Sequence, residues 1–216
     1  MASTLRDVGE GLVGAAGMAL DLVTPFLREK RSHWGTSAQE AAARWPGDER
    51  VPTPKWSWTH GVEIGRPVEA VWPWLAQIGL QKGGFYSYQW LENLAGCGVQ
   101  NADHLHPQWQ APQVGEDFRL HPDMPPLRVV EVQERAWLLV ASEAPGPAAA
   151  SWLFLVQPRG LGACRVISRF RSDYDDTRLA DRLAYGPWLT EAIGFMMDRR
   201  MLLGIKERAE REPGLD

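Results

Sequence analysis

The chain has 216 residues, 44% hydrophobic and 23% charged, which allows one substantial core and excludes global disorder. Its formal net charge of −4 gives no electrostatic reason to expect a nucleic-acid partner. The two cysteines, Cys97 and Cys164, lack the CxxC spacing of a zinc site, which favours a reducing cytoplasm and leaves a single disulfide open. Eleven tryptophans indicate a bulky core or an aromatic-lined pocket.

The first predicted element is an N-terminal amphipathic helix, because apolar residues recur at steps of three and four. They are Leu5, Val8, Leu12, Ala16, Ala19, Val23 and Phe26. Glycines at 11, 14 and 17 would let this helix approach another helix or a partner chain closely. Glu10 and Asp21 interrupt the apolar stretch, which excludes a stable membrane span. Peripheral membrane contact and a homodimer formed through this helix both stay open.

Residues 31–55 are polar and contain prolines at 46, 52 and 54, so we interpret them as a linker with one short helix at Ser37–Arg44. The predicted organisation is therefore an N-terminal amphipathic helix with a Pro-rich linker over residues 1–55, followed by a main domain over residues 56–212.

The main domain begins with an alternating strand at Trp56–Ile64, followed by helices at Val68–Ile78 and Tyr88–Leu94 and a polar loop over 95–115. Five strand-like runs come next: Asp117–Leu120, Leu127–Val132, Trp137–Ser142, Ser151–Gln157 and Cys164–Tyr174. A long helix with a wide apolar face is predicted at Pro187–Arg211. This order indicates an α+β fold in which an antiparallel sheet grips the last helix and leaves a cavity between the layers.

Five segments carry a family resemblance: AVWPWLAQIG, GGFYSYQWLENLAG, NADHLHPQW, VGEDFRLHP and MMDRRMLLGIKERAE. They resemble the SRPBCC superfamily, and most of all its START-like, polyketide cyclase/dehydrase-like bacterial members. The resemblance covers Trp56 to about Glu210. It implies a helix-grip fold, in which a curved antiparallel sheet wraps around a long C-terminal helix beside an apolar cavity. It implies no particular reaction, because one fold hosts many functions.

The segment 86–109 concentrates hydrogen-bonding and aromatic side chains where the inferred fold has a mouth of the cavity, so we interpret it as the polar end of a ligand site. His106 with Asp103 or Glu92 could act as acid and base at neutral pH. In the competing interpretation, Asn101 and Asp103 cap turns and the histidines are solvated. The ligand-binding candidates are Trp74, Tyr86, Tyr88, Trp90, Asn93, Asn101, Trp109, Phe154, Ser168, Phe170 and Phe195.

Alternation along the last strand predicts that Arg165, Arg169 and Arg171 face water, while Ser168 and Phe170 face the cavity. The run Ser151–Gln157 is apolar on both faces, and its outer face is a place for the N-terminal helix to dock. The charges of the C-terminal helix, Asp198 included, are interpreted as a solvated face.

Motifs for cofactors and metals are weak. Gly79, Gly83 and Gly84 do not match a phosphate-binding loop, and no G-x-S-x-G motif occurs. The pair His104 and His106 has the spacing of metal ligands on a strand, but the loop composition argues against a strand there. We therefore predict no metal and no cofactor.

These observations favour a cytoplasmic binding protein or carrier for a hydrophobic small molecule, lipid-like or polyketide-like and aromatic. The alternative is a polyketide cyclase/dehydratase-type enzyme that uses His106 with Asp103 or Glu92.

Overall fold

The computed structural model describes residues 2–143, 149–179 and 190–211. Within them, six strands form one curved antiparallel sheet in the order β1-β6-β5-β4-β3-β2. The strands are β1 (Trp56–Ile64), β2 (Asp117–Phe118), β3 (Leu127–Gln133), β4 (Trp137–Ala141), β5 (Ala150–Arg159) and β6 (Ala163–Ser172). Strands β1 and β6, the first and last in the chain, pair with each other.

The helices are α1 (Ala2–Val23), α2 (Arg28–Ser32), α3 (Ala38–Ala42), α4 (Val68–Ala76), α5 (Gln89–Leu94) and α6 (Thr190–Glu210). The described residues also contain three 3₁₀ turns, at Pro25–Leu27, Asp48–Arg50 and Pro107–Trp109. Helix α6 packs against β1, so the predicted α+β helix-grip arrangement is confirmed. The predicted start of this helix at Pro187–Leu189 lies outside the described residues. Helix α2 was not predicted, and it spans the start of the predicted linker at residue 31.

Aromatic rings fill much of the space between the sheet and the helices. Trp58, Trp152, Phe154 and Phe170 are all buried on the inner face of the sheet. The rings of Trp58 and Phe170 stack with their centroids 4.3 Å apart. The tryptophan excess therefore contributes to a packed core as well as to a pocket wall. Both cysteines are free thiols.

The outer face of the sheet is covered by the linker. On this face, an apolar cluster of sheet residues packs against Trp45 of the linker. The cluster consists of Leu139, Leu153, Leu155 and Ile167. Arg165 pairs with Glu40 at 2.9 Å, and Arg169 pairs with Asp48 at 2.7 Å. Arg171 donates to the carbonyls of Val51 and Pro52. The prediction that these three arginines face water was wrong, because they anchor the linker and their side chains are only 10–12% exposed. The linker, and not the N-terminal helix, occupies this face.

Helix α1 packs on α5 and α6 through its glycines. A Cβ atom at Gly11 would lie 2.6 Å from the ring of Trp90, and one at Gly14 would lie 3.0 Å from the ring of Tyr88. Docking of α1 on the protein is thus confirmed, but its contact face is the glycine face. The predicted apolar stripe is turned outward, since Leu5 is 73% exposed and Val23 is 71% exposed. No helix among the described residues is long and apolar enough to cross a bilayer.

Two alanine substitutions in α1 should separate helix propensity from docking. A Cβ at Gly9 meets nothing within 4 Å, so Gly9→Ala should stabilise the protein by about 0.5–1 kcal/mol. Gly11→Ala makes the same gain in propensity, but its Cβ displaces the Trp90 ring, so its melting temperature should fall below that of Gly9→Ala. Thermal unfolding followed by circular dichroism measures both. Equal gains would show that α1 does not dock through its glycine face.

Candidate functional site

A cavity of about 500 Å³ lies between β1, α6 and the segment 21–32 of the N-terminal region. Its lining consists of Asp21, Leu22, Arg28, Glu29, Arg31, Ser32, Lys55, Trp56, Ser57, Trp58, His60, Glu191, Ala192 and Phe195. This volume lies within the range of small-molecule sites, which is about 300–1,000 Å³. A second, more open cleft of about 470 Å³ runs along Leu80, Cys97 and Arg119 and has no aromatic lining.

The wall of the cavity is aromatic because every second residue of β1 at this end of the strand carries a ring and faces the cavity. Side chains two residues apart on β1 point to the same side, which aligns Trp56, Trp58 and His60. The rings of Trp58 and His60 are nearly parallel, with centroids 5.4 Å apart. Phe195 of α6 meets the His60 ring edge-on at 5.5 Å. The result is an aromatic wall whose rings are set at different angles, with His60 as its polar part.

Behind this wall lies a buried polar network. Asp198 of α6 has one carboxylate oxygen 2.6 Å from Nδ1 of His60 and accepts a hydrogen bond of 2.6 Å from Ser168 at the other. Ser168 accepts a hydrogen bond of 2.8 Å from the indole N–H of Trp152. His60 and Ser168 are directly paired across β1 and β6, so the sheet register sets this geometry. The three side chains of His60, Ser168 and Asp198 are at most 3% exposed.

The hydrogen-bond partners of His60 fix the number of protons that His60 and Asp198 hold together. Its Nε2 lies 3.0 Å from the backbone carbonyl of Arg31, which only accepts, so Nε2 carries a proton. Its Nδ1 faces the Asp198 carboxyl, so a second proton lies between these two atoms. The pair is therefore an imidazolium with a carboxylate, or an imidazole with a carboxylic acid. In either form it can hold or transfer a proton beside the cavity.

Two ion pairs border the mouth of the cavity. Arg28 donates to Glu191 at 2.6 Å, and Arg31 donates to Asp21 at 2.9 Å. Burial raises the pKa of both Glu191 and Asp21, in spite of the neighbouring arginines. Arg31 also donates to the carbonyl of Thr24 at 2.8 Å. The rim is thus charged and partly paired, and the second carboxylate oxygen of Asp21 is buried without a hydrogen-bond partner.

The structure places the predicted ligand-binding residues in several regions. Phe195 lines the cavity, and Ser168 and Phe170 lie directly behind its wall. Trp74 and Phe154 are buried in the core and do not line the cavity. The inward direction predicted for Ser168 and Phe170 is therefore correct.

The aromatic residues of the segment 86–109 serve mainly in packing. Tyr86 is 1% exposed and its hydroxyl donates to the carbonyl of Trp74 at 3.1 Å. Burial raises the pKa of Tyr86, which therefore keeps its proton. Tyr88 and Trp90 form the surface on which the glycines of α1 lie. None of these side chains lines the 500 Å³ cavity.

The two asparagines of this segment hold loop backbone. The side chain of Asn93 bonds both the N–H and the carbonyl of Val99. Asn101 accepts from the N–H of Tyr86 and donates to the carbonyl of Ser87. The turn-capping interpretation of Asn101 is therefore supported.

His106 and Asp103 are not brought together. Asp103 bonds His104 at 2.8 Å, and both side chains are more than two-thirds exposed. This hydrogen bond lowers the pKa of Asp103. The ring of His106 lies against the rings of His104 and Trp109, at centroid distances of 4.2 and 4.3 Å. Neither His106 nor Trp109 lines the cavity.

Glu92, the other predicted carboxylate, is buried without a hydrogen-bond partner at Oε2. It is 7% exposed, and burial raises its pKa from about 4.5 to about 7. It lies on α5 and does not line the 500 Å³ cavity that contains His60. Within the described part of the chain, no cluster of three or more His, Cys, Asp or Glu is placed to hold a metal ion.

Sequence reasoning missed His60 and Asp198, although both left a signal. His60 shares the parity of Trp56 and Trp58, and Asp198 lies three and four residues before the buried Met201 and Leu202. The interpretation of Asp198 as part of a solvated face was wrong, since it is 3% exposed. A polar residue on an apolar face indicated a buried network here.

Together, the sheet and the gripping helix define a helix-grip domain, with a cavity lined by β1, α6 and the segment 21–32. No protein-family model and no curated protein matches the chain. Solved structures that resemble the chain exist, and one of them is described as a Polyketide_cyc-like protein.

Three of these structures illustrate the likeness. A hypothetical protein of Helicobacter pylori has a TM-score of 0.45 and 14% identity over 78% of this chain and 96% of its own. A protein of Nitrosomonas europaea has a TM-score of 0.43 and 15% identity over 78% and 99%. The Polyketide_cyc-like protein of Corynebacterium glutamicum has a TM-score of 0.35 and 14% identity over 74% and 89%. The likeness concerns the fold alone.

Removal of the Ser168 hydroxyl should test the buried network. Ser168→Ala leaves the Trp152 N–H without its acceptor and Asp198 without one donor, so the free energy of unfolding should fall by about 1–3 kcal/mol. Ser172→Ala, on the same strand but part-exposed, is the matched control and should change it by less than about 0.5 kcal/mol. Urea titration measures both. Equal effects would contradict an energetic role for the network.

Glu92 should make the stability depend on pH. Its pKa is raised by folding, so the unfolded state releases the proton first and stability falls as pH rises from about 4.5 through 7. Glu92→Gln should remove this loss and be more stable than wild type above pH 7, by up to about 3 kcal/mol. Urea titrations at pH 4.5 and pH 8 measure the difference. Glu134→Gln, at an exposed glutamate, should leave the wild-type pH dependence unchanged.

Proposed function

We propose that this protein binds a hydrophobic small molecule, lipid-like or polyketide-like and aromatic, in the cavity between β1, α6 and the segment 21–32. The observation that carries the proposal is an aromatic wall with one buried polar edge. A ring or acyl chain would contact Trp56, Trp58 and Phe195. Two free thiols fit the cytoplasmic location that is part of this proposal.

The polar edge would recognise one group of the ligand. His60 Nε2–H donates to the Arg31 carbonyl, and both residues line the cavity. A ligand carbonyl or hydroxyl oxygen could accept this hydrogen bond if α2 moved away. Asp198 would hold the ring in place through Nδ1. Orientation of the ligand would thus come from side chains of β1 and α6.

The chemical alternative is acid–base catalysis of the cyclase/dehydratase type. The His60–Asp198 pair favours this reading more than His106 does, because His60 lines the cavity and has a carboxylate at 2.6 Å. Catalysis by His106 with Asp103 or Glu92 stays a proposal, and none of these three residues lines the 500 Å³ cavity. Turnover that survives His60→Gln would speak against the pair as catalyst.

Filling the cavity should abolish ligand binding. Ala192→Phe replaces a methyl group with a phenyl ring that would project into the cavity. His60→Gln removes the imidazole N–H donor. We expect wild type to retain a co-purified apolar ligand in native mass spectrometry and to bind the neutral probe N-phenyl-1-naphthylamine. Ala192→Phe should lose both, and His60→Gln should bind the probe with nearly wild-type affinity but lose about 5- to 100-fold in affinity for a ligand with a polar group.

The matched control is His104→Gln, the same substitution at a histidine whose side chain is 69% exposed. It should bind like wild type. Unchanged binding of ligand and probe by a folded Ala192→Phe variant would show that the site lies elsewhere.

A further inference from the structure

Helix α1 packs on the protein through its glycines and exposes its large apolar side chains, whereas a helix in water normally buries its apolar side chains. Its glycines at 11, 14 and 17 lie against Trp90, Tyr88 and Met196. Its large apolar side chains are turned away from the protein. The most exposed of them, together with those of the following turn, are Leu5, Leu12, Val13, Leu20, Val23 and Phe26, with exposed fractions of 58–79%.

This outward face of α1 carries almost no charge. The exposed residues between positions 5 and 23 are Leu5, Arg6, Gly9, Leu12, Val13, Ala16, Ala19, Leu20, Leu22 and Val23. Arg6 is the one charged residue among them. Single exposed leucines are ordinary, but a contiguous apolar strip along a whole helix marks a surface that is covered by something.

The strip ends at the mouth of the cavity. Leu22, near the end of α1, lines the cavity and is itself 38% exposed. Phe26 follows in the next turn at 79% exposure, and Arg28 then reaches Glu191 across the rim. The apolar strip and the opening of the pocket are therefore one continuous surface.

We propose that the outward face of α1, with Phe26, docks on a lipid bilayer surface and brings the cavity mouth to that surface. The helix lies in the plane of the interface with its leucines among the acyl chains, as amphipathic interfacial helices do. At the ends of the strip stand Arg6, which pairs with Glu10 at 3.0 Å, and the exposed Lys30, and both lie at the level of the lipid headgroups in the docked state. Passage of a ligand from bilayer to cavity is a consequence that rests on the proposed function. The docking itself does not.

A second copy of the chain fits the strip less well. Helix α1 has 22 residues, so it is about 33 Å long, and a strip about 10 Å wide along it covers about 330 Å². A stable interface between proteins needs about 800 Å² per partner. A bilayer sets no such minimum, because each apolar side chain that enters it adds to binding.

The charge of α1 predicts which lipids suffice. The helix has one arginine against three acidic residues, so attraction to anionic lipid contributes little. Binding should therefore occur on zwitterionic phosphatidylcholine vesicles and should change less than about threefold between 50 mM and 500 mM salt.

The experiment is vesicle flotation of the full chain with phosphatidylcholine vesicles. The test variant is the double substitution Leu12→Glu with Val23→Glu, at side chains that are 58% and 71% exposed. The control is Leu161→Glu, in the turn between β5 and β6, where the leucine is fully exposed and remote from α1 in the sequence. Wild type and control should float with vesicles, and the double variant should lose at least tenfold in partitioning.

Circular dichroism melting checks that the double variant is folded, as expected for exposed positions. Failure of wild type to float, or equal flotation of the double variant, overturns the proposal. A wild-type dimer in light scattering that the double variant converts to monomers, without vesicle binding, overturns it in favour of a second copy. Ala192→Phe should float like wild type while losing the probe, so failure of docking and failure of the proposed function are distinguishable.

Discussion

The carboxyl group of Asp198 is the constraint around which the cavity end of the fold is arranged. A carboxyl group that is 3% exposed has lost its water and is tolerated only when hydrogen bonds replace that water. Its partners are His60 from β1 and Ser168 from β6, so α6 can satisfy them only at one position along these two strands. The carboxyl group therefore fixes the helix on the sheet, and the spacing of the cavity walls follows from that placement.

The N-terminal region completes this arrangement from outside the sheet. The carbonyl of Arg31 accepts from His60, and the Arg31 side chain returns to Asp21 and to Thr24. The same residue thus bonds the buried network and holds the corner between α1 and α2. Because residues 21–32 form one wall of the cavity, a domain boundary at residue 55 divides the sequence but leaves each piece with an incomplete site.

The sequence predicted the elements well because periodicity reports directly on burial. The strand at Trp56–Ile64 was predicted with its observed bounds, and its partner β6 was predicted within two residues. The site was harder to predict, because the sequence does not show whether a polar residue is solvated or bonded to another buried side chain. Asp198 stands beside two arginines, so its local composition resembled a solvated face, and only its phase relative to Leu202 distinguished it. The polar segment 86–109 had the composition of a ligand site and serves mostly to satisfy its own loop backbone.

Helix α1 illustrates a further limit of reasoning from apolar periodicity. The pattern correctly predicted a helix, but it assigned the contact to the leucines, since burial of large side chains stabilises most. The surface beneath α1 is already filled by the rings of Tyr88 and Trp90, and a helix can lie flat on such rings only with glycines against them. The space already filled by the Tyr88 and Trp90 rings thus decides which face of α1 packs against the protein. The leucines are left outside by this exclusion, and the apolar strip beside the cavity mouth is its direct result.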